Sequence, residues 1–91
     1  MDVGTFYLKT GKVDAAISRF LEAAHDEPSM AKPYRLLGEA YEKKDDFPRA
    51  IEAYKKYLEL LPQASDAAKV QKHISQLDEK VEKESSKANS H

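Results

Sequence analysis

Apolar residues recur along most of the chain at spacings of three and four, which is the period of an α-helix with one buried face. A short helix is predicted over residues 2–10, and Gly11 ends it because glycine adopts a left-handed conformation at low cost. Three longer apolar stripes follow. They comprise Val13, Ala16, Ile17, Phe20, Leu21 and Ala24; then Leu36, Leu37, Ala40 and Tyr41; then Phe47, Ala50, Ile51, Tyr54, Leu58 and Leu61.

Helix-breaking residues separate these stripes. Pro28 follows the first stripe, the polar turn 44–46 follows the second, and Pro62 follows the third. Asp46 is a suitable N-cap for a helix that begins at Phe47, because its carboxylate can accept a hydrogen bond from an amide of the first turn. The pattern therefore predicts helices joined by short loops.

The segment 64–84 carries a narrower stripe, with Ser65 as the predicted N-cap. Its apolar positions alternate between spacings of three and four: Ala67, Val70, Ile74, Leu77 and Val81. Charged and polar residues fill most other positions, as in a last helix that is apolar only toward the preceding pair. A coiled-coil seam of two heptads is the alternative interpretation. Residues 85–91 are rich in Ser, Lys and Asn, and we expect them to be disordered.

The chain repeats itself at an interval of 34 residues. Residues of the same kind come into register in six pairs: Gly4 and Gly38, Tyr7 and Tyr41, Ala16 and Ala50, Ile17 and Ile51, Phe20 and Tyr54, Pro28 and Pro62. This spacing resembles the tetratricopeptide repeat, a helix–turn–helix unit of the same length. The family's pattern reads here as Tyr34-x₂-Leu37-Gly38-x₂-Tyr41, followed by Ala50-x₃-Tyr54 and Pro62.

The resemblance implies an all-α fold, an α–α superhelix of two helical hairpins and a C-terminal capping helix. It places a first repeat at 1–29, a second repeat at 30–63 and the capping helix at 64–84. The first repeat lacks the large residue that Tyr34 supplies to the second, so we expect it to be N-terminally truncated and the chain to be part of a longer array. Gly38 is expected where paired helices cross closely, because a larger side chain would separate them.

Tetratricopeptide arrays usually bind extended peptides or helices in a concave groove formed by the first helix of each repeat. The resemblance therefore implies a non-catalytic module that binds a protein or peptide. The residues assigned to the groove are Thr5, Leu8, Lys9, Lys32, Arg35, Glu39, Glu42, Lys43 and Gln71, with Ala67 and Ile74 beside the last of these. Since this face mixes both charges, we expect a partner of mixed charge. The alternative interpretation is a solvated face with i,i+4 pairs such as Glu39–Lys43.

One type of family member is not expected here. Such members grip the C-terminal carboxylate of chaperones through Lys, Asn and Arg at set positions on three successive first helices. In this chain Thr5 and Glu39 stand at the Asn-type positions, and Ala67 and Ala68 replace basic residues. The sequence therefore predicts that this clamp is absent.

The alternative function is a structural end piece that assembles with itself or with further repeats. Val3, Phe6 and Val13 are predicted to lie uncovered at the N-terminal edge, which favours weak self-association. The run from Phe6 to Phe20 also resembles repeats of bacterial outer-membrane assembly lipoproteins, which are periplasmic scaffolds. The sequence is thus compatible with the cytoplasm, or with the periplasm if the chain is a fragment of an exported protein.

Composition and charge exclude several other functions. Fifteen Lys and Arg residues against sixteen Asp and Glu residues give a net charge of −1, without the basic surplus that binding to nucleic acid or an anionic membrane needs. The chain has no cysteine, which excludes thiolate chemistry and cysteine-based zinc sites. No stretch is apolar enough for a transmembrane span, and the N-terminus has no signal-peptide pattern.

Candidate catalytic residues are sparse. The histidines His25, His73 and His91 form no metal-binding pair at helical spacing, and we expect the last two to face solvent. His25 adjoins Asp26 and Glu27, but a polar residue near a helix C-terminus explains that cluster. The sequence contains neither a glycine-rich phosphate loop nor a nucleophile elbow. We therefore expect no enzymatic activity, no metal and no cofactor.

Overall fold

Four α-helices make up the part of the chain that the computed structural model describes, residues 11–89, with side chains to residue 83. They are α1 (Val13–Asp26), α2 (Lys32–Lys43), α3 (Phe47–Leu60) and α4 (Ala67–Asn89). Each helix packs against the next one in sequence, and these residues form no β-strand. The all-α prediction is confirmed. The helix predicted over 2–10, with the groove residues Thr5, Leu8 and Lys9, lies outside the described residues.

The turns between helices use the residues that the sequence indicated. Gly11 has a φ of 82° and Asp45, in the turn between α2 and α3, a φ of 62°. Aspartate enters this left-handed region more readily than most residues, because its short side chain can form local hydrogen bonds. The carboxylate of Asp46 accepts a hydrogen bond from the Arg49 amide at 3.4 Å, which confirms the predicted N-cap.

The helix α4 differs from its prediction at both ends. It begins at Ala67, after the turn at Ser65 and Asp66, and it continues to Asn89. The expectation that the helix ends at residue 84 and that 85–91 is disordered is therefore wrong as far as Asn89. Neither glycine nor proline interrupts this stretch, so no strong helix breaker stands between residue 84 and Asn89.

The core consists of two clusters that meet across α2. The first contains Ala16, Ile17, Phe20, Leu36, Leu37, Ala40 and Ala53, and the second contains Ala31, Ala50, Ile51, Tyr54, Tyr57, Val70 and Leu77. Tyr34 and Tyr41 are half-buried and pack against both clusters, so they join the two. Val13 also packs against the first cluster, which corrects the prediction that it lies uncovered.

The apolar seam of α4 faces α3. Val70 and Leu77 are buried in the second cluster, and Ile74 and Val81 pack against it half-buried. The ammonium of Lys80 lies 5.0 Å from the centre of the Phe47 ring, so the C-terminal half of α4 passes the start of α3. The seam therefore serves as a cap on the second hairpin, and the coiled-coil interpretation is not needed to explain it.

The crossing of α2 and α3 is closest at Gly38. A Cβ atom on this residue would lie 2.5 Å from Cε1 of the Tyr54 ring and 2.7 Å from Cζ. The ring cannot move aside easily, because Tyr54 is only 2% exposed and its hydroxyl is hydrogen-bonded to Glu42 at 2.6 Å. Glycine at position 38 is therefore required by the ring that packs on it.

We predict that Gly38→Ala lowers the free energy of unfolding by about 1–2 kcal/mol, although alanine favours a helix over glycine by about 1 kcal/mol. The reason is that overpacking against the fixed Tyr54 ring outweighs the gain in helix propensity. Gly38→Leu should cost more than about 2 kcal/mol. Urea denaturation followed by circular dichroism measures both effects.

The control is Ser75→Ala, at an exposed position within α4, which should change stability little. The double variant Gly38→Ala/Tyr54→Leu should lose less stability than the two single variants added together, because the smaller side chain leaves room for the new methyl group. If Gly38→Ala raises the melting temperature, the crossing is looser than described.

Candidate interaction groove

A groove runs between α2 and the first half of α4. Its central cleft is lined by Arg35 and Glu39 from α2, by Tyr54 from α3, and by Asp66, Lys69, Val70 and His73 at the start of α4. Two further clefts share some of these residues, so the surface is continuous. The α2–α4 groove is defined as the set Lys32, Arg35, Glu39, Glu42, Lys43, Tyr54, Tyr57, Asp66, Lys69, Val70 and His73.

Helical periodicity brings the groove residues of each helix to one side. On α2 they follow spacings of three and four from Lys32 to Lys43, and on the start of α4 the same spacing relates Asp66, Val70 and His73. The apolar seam of α4 lies next to this polar row. One helix thus presents two adjacent stripes, one to α3 and one to the groove.

A carboxylate joins three helices at one end of the groove. The Tyr54 hydroxyl of α3 donates a hydrogen bond of 2.6 Å to Oε1 of Glu42 on α2. Nδ1 of His73 on α4 lies 3.0 Å from the same oxygen, and the imidazole stands against the Tyr54 ring with centroids 5.6 Å apart. The contact between His73 and Glu42 becomes an ion pair when the imidazole is protonated. Glu42 therefore contacts side chains of both α3 and α4.

A second network lies at the other end of the groove. Nη1 of Arg35 is 3.3 Å from Oε1 of Glu39, and Nε is 3.9 Å from Oδ2 of Asp66. Asp66 also accepts a hydrogen bond of 2.6 Å from the Tyr57 hydroxyl. The Arg35 side chain thus lies between Glu39 and Asp66, and about a third of it is exposed to solvent.

Both buried tyrosines favour the neutral phenol. Burial, and then the hydrogen bond to Glu42, raise the pKa of Tyr54 far above its ordinary value. The hydrogen bond to Asp66, followed by burial, raises the pKa of Tyr57. Each phenol therefore remains a hydrogen-bond donor to its carboxylate through neutral and mildly alkaline pH.

Most of the predicted groove residues within the described part of the chain do come together. Lys32, Arg35, Glu39, Glu42 and Lys43 all line the groove. The expected i,i+4 pair of Glu39 with Lys43 is replaced by the pair of Glu39 with Arg35. Arg35, Glu39 and Glu42 therefore have contacts within the fold, whereas Lys32 and Lys43 are exposed.

Gln71 does not line the clefts. It lies two residues before His73, and at 100° per residue this puts it about 160° away around α4. Ile74 packs into the core instead, and Ala67 is half-buried. Gln71 and the described groove residues of α4 therefore lie on opposite sides of the apolar seam.

Several groove residues were missed or misjudged by the sequence analysis. Asp66 was not singled out, and His73 was expected only to face solvent, whereas it is half-exposed and also touches Glu42. Their place on one face could have been predicted from the sequence. Helical neighbours are three or four residues apart, and this is the spacing of Asp66, Val70 and His73. The hydroxyl of Tyr54 was treated only as part of a core side chain.

Among residues 11–83, no three His, Asp or Glu side chains are arranged to hold a metal ion. In the same part of the chain, every helix is too short or too polar to cross a bilayer.

Comparison with known proteins gives two matches. A family profile described as "Tetratricopeptide repeat" matches residues 4–65. The chain is also similar to "Tetratricopeptide repeat domain-containing protein PYG7, chloroplastic" from Arabidopsis thaliana, with 34% identity over 56 residues. That alignment covers 62% of this chain and 19% of the relative. Neither match tests the resemblance to bacterial lipoprotein repeats.

We predict that the free energy of unfolding falls less steeply with pH above about 10 in Tyr54→Phe than in the wild type. The raised pKa of folded Tyr54 stabilises the protein below the ordinary tyrosine pKa. This stabilisation is lost as pH rises toward the folded value, because only the unfolded chain releases the proton. The difference in slope should approach about 1.4 kcal/mol per pH unit. Urea denaturation between pH 9 and 11.5 measures it.

Ile51→Val is the matched control, because it removes a buried methylene, costs about 1 kcal/mol and titrates nothing. It should keep the wild-type alkaline slope. Equal slopes for Tyr54→Phe and the wild type would contradict the described burial and hydrogen bond of Tyr54.

Proposed function

Because the chain belongs to the tetratricopeptide repeat family, we propose that it is a non-catalytic interaction module that binds an extended peptide or a helix of a partner protein in the α2–α4 groove. Repeats of this family generally mediate protein–protein interaction. The observation that supports the groove as the binding surface is that its polar side chains are fixed by contacts from three helices and yet remain accessible.

Three of these side chains are both partly exposed to solvent and held by contacts within the protein. The exposed fractions are 34% for Arg35, 24% for Glu42 and 48% for His73, and each side chain contacts at least one neighbouring helix or the turn before α4. A side chain that is already ordered loses less conformational entropy when it contacts a partner. Such residues favour recognition of a partner backbone or side chain over simple solvation.

The size of the groove suits a short peptide. The helix α2 has 12 residues and a length of about 18 Å, which matches about five residues of extended chain. Val70 and the Tyr54 ring form the floor of the central cleft, where they are only 6% and 2% exposed. A peptide lying along α2 would therefore meet mainly the polar and charged side chains of the groove.

A structural role in self-assembly is the second candidate. Leu21 on α1 and Met30 in the following loop are 48% and 45% exposed, which is high for large apolar side chains. Exposed apolar surface of this kind favours contact with further repeats or with another copy of the chain. This role concerns the α1 side of the molecule and does not compete for the groove.

We predict that short peptides selected from a random library against the whole chain shift the backbone amide resonances of α2 and the first half of α4. Arg35→Ala should weaken such a peptide about fivefold or more, since it removes an ordered donor from the centre of the groove. The matched control is Arg19→Ala on α1, which removes an arginine that pairs only with Glu22 among the described residues. Selected peptides that shift only α1 and α3 would refute the groove.

We predict weak, concentration-dependent self-association if the second role holds. Sedimentation velocity at high protein concentration should then show a mass above that of the monomer, and Leu21→Glu should reduce it. A monomeric wild type at about millimolar concentration rejects this role and leaves the groove proposal untouched.

A further inference from the structure

The groove's carboxylates all have partners within the chain. Glu42 and Asp66 each accept a hydrogen bond of 2.6 Å from a tyrosine hydroxyl. Glu39 pairs with Arg35 at 3.3 Å. The charges of Glu39 and Arg35 are therefore paired with each other, while Glu42 and Asp66 are engaged by neutral hydroxyl donors and keep their negative charge.

Three lysines of the groove are not compensated in this way. Lys32 and Lys43 stand at the two ends of α2, and Lys69 stands opposite on α4; all three are exposed. Among residues 11–83, none of their ammonium groups lies within 4.0 Å of a carboxylate oxygen. These three ammonium groups are therefore exposed positive charges that a partner can contact without first breaking an ion pair among the described residues.

The positions of these lysines define a spacing. Lys32 and Lys43 are eleven residues apart, which is about three helical turns, so they lie within about 20° of each other on the same side of α2 and about 16 Å apart. An extended peptide covers that distance in about five residues. Lys69 lines the central cleft between the two ends, across from Arg35 and Glu39.

We propose that the partner of the α2–α4 groove is an acidic segment of a protein, bound in extended form with carboxylates about five residues apart on Lys32 and Lys43 and a further one on Lys69. This inference rests on the proposed function and specifies the chemistry of its ligand. It differs from the sequence-based expectation of a mixed-charge partner, because Glu39 and Glu42 have contacts within the fold.

The segment is an internal one rather than a chain terminus. A terminal carboxylate places its charge at one point, whereas the three lysines are spread along the full length of the groove. Several carboxylates along a segment match the spread of positive charge.

Fluorescence anisotropy with a short labelled peptide tests the proposal. The peptide carries Asp and Glu about five residues apart in a Ser and Gly background, and both of its ends are blocked. A second peptide replaces each Asp by Asn and each Glu by Gln. We expect the acidic peptide to bind about tenfold more tightly or better, and its affinity to fall as salt rises from about 50 to about 200 mM.

Charge-neutralising variants locate the effect. Each of Lys32→Gln, Lys43→Gln and Lys69→Gln should weaken the acidic peptide about two- to fivefold, and the triple variant about tenfold or more. The control triple variant carries Lys55→Gln, Lys72→Gln and Lys83→Gln. It removes the same charge from exposed lysines outside the groove, and it should retain wild-type affinity.

Three results would overturn the proposal. They are equal affinity for the two peptides, equal weakening in the two triple variants, and tighter binding of a single-stranded oligonucleotide at the same three lysines.

Failure of the proposed function gives a different set of results. If the amide peptide binds as tightly and shifts α2 and α4 resonances, the groove binds peptides without preferring acidic ones; if selected peptides avoid the groove, both proposals fail. Circular dichroism melts confirm that each variant is folded.

Discussion

The contact between the Gly38 backbone and the Tyr54 ring is the constraint on which the rest of the structure depends. Because residue 38 has no side chain, α2 and α3 approach until the ring lies within 2.5 Å of where a Cβ would stand. This approach puts the Tyr54 hydroxyl 2.6 Å from Glu42, and Glu42 in turn lies 3.0 Å from His73 on α4. A packing requirement inside the second hairpin thus brings together the side chains at one end of the groove, next to the seam through which α4 packs on α3.

The same contacts change the electrostatic character of the groove. In the sequence, Arg35, Glu39 and Glu42 form a face of mixed sign, and a mixed-charge partner is the natural expectation. In the folded chain, α3 and α4 supply hydrogen bonds that occupy the carboxylates, while the lysines at the margins remain exposed. The net charge of the whole chain is −1, so the available positive charge is a local property of this surface.

The sequence predicted most of the fold because the fold rests on periodic signals. The 34-residue repeat, the breakers and the apolar stripes each identify a helix or its end, and Gly38 is recognisable as a close crossing from its place in the repeat. The end of α4 was missed because composition alone does not show where a helix stops when no breaker follows. The sequence does not show which residues of α4 stand beside α2, because that depends on which side of a narrow seam meets α2.

The narrow seam of α4 explains how a capping helix can also bind a partner. A seam one residue wide needs only Val70, Ile74, Leu77 and Val81 to cover α3, and Val70 belongs to the groove as well. Lys69 and His73 lie about 60° to 100° around the helix axis from the seam, so they are not buried against α3 and can face α2. A wider apolar face would bury those positions against the hairpin and leave α2 as the sole wall of the groove. Limited burial at the end of the array therefore accounts for the polar row that α4 contributes to the proposed binding surface.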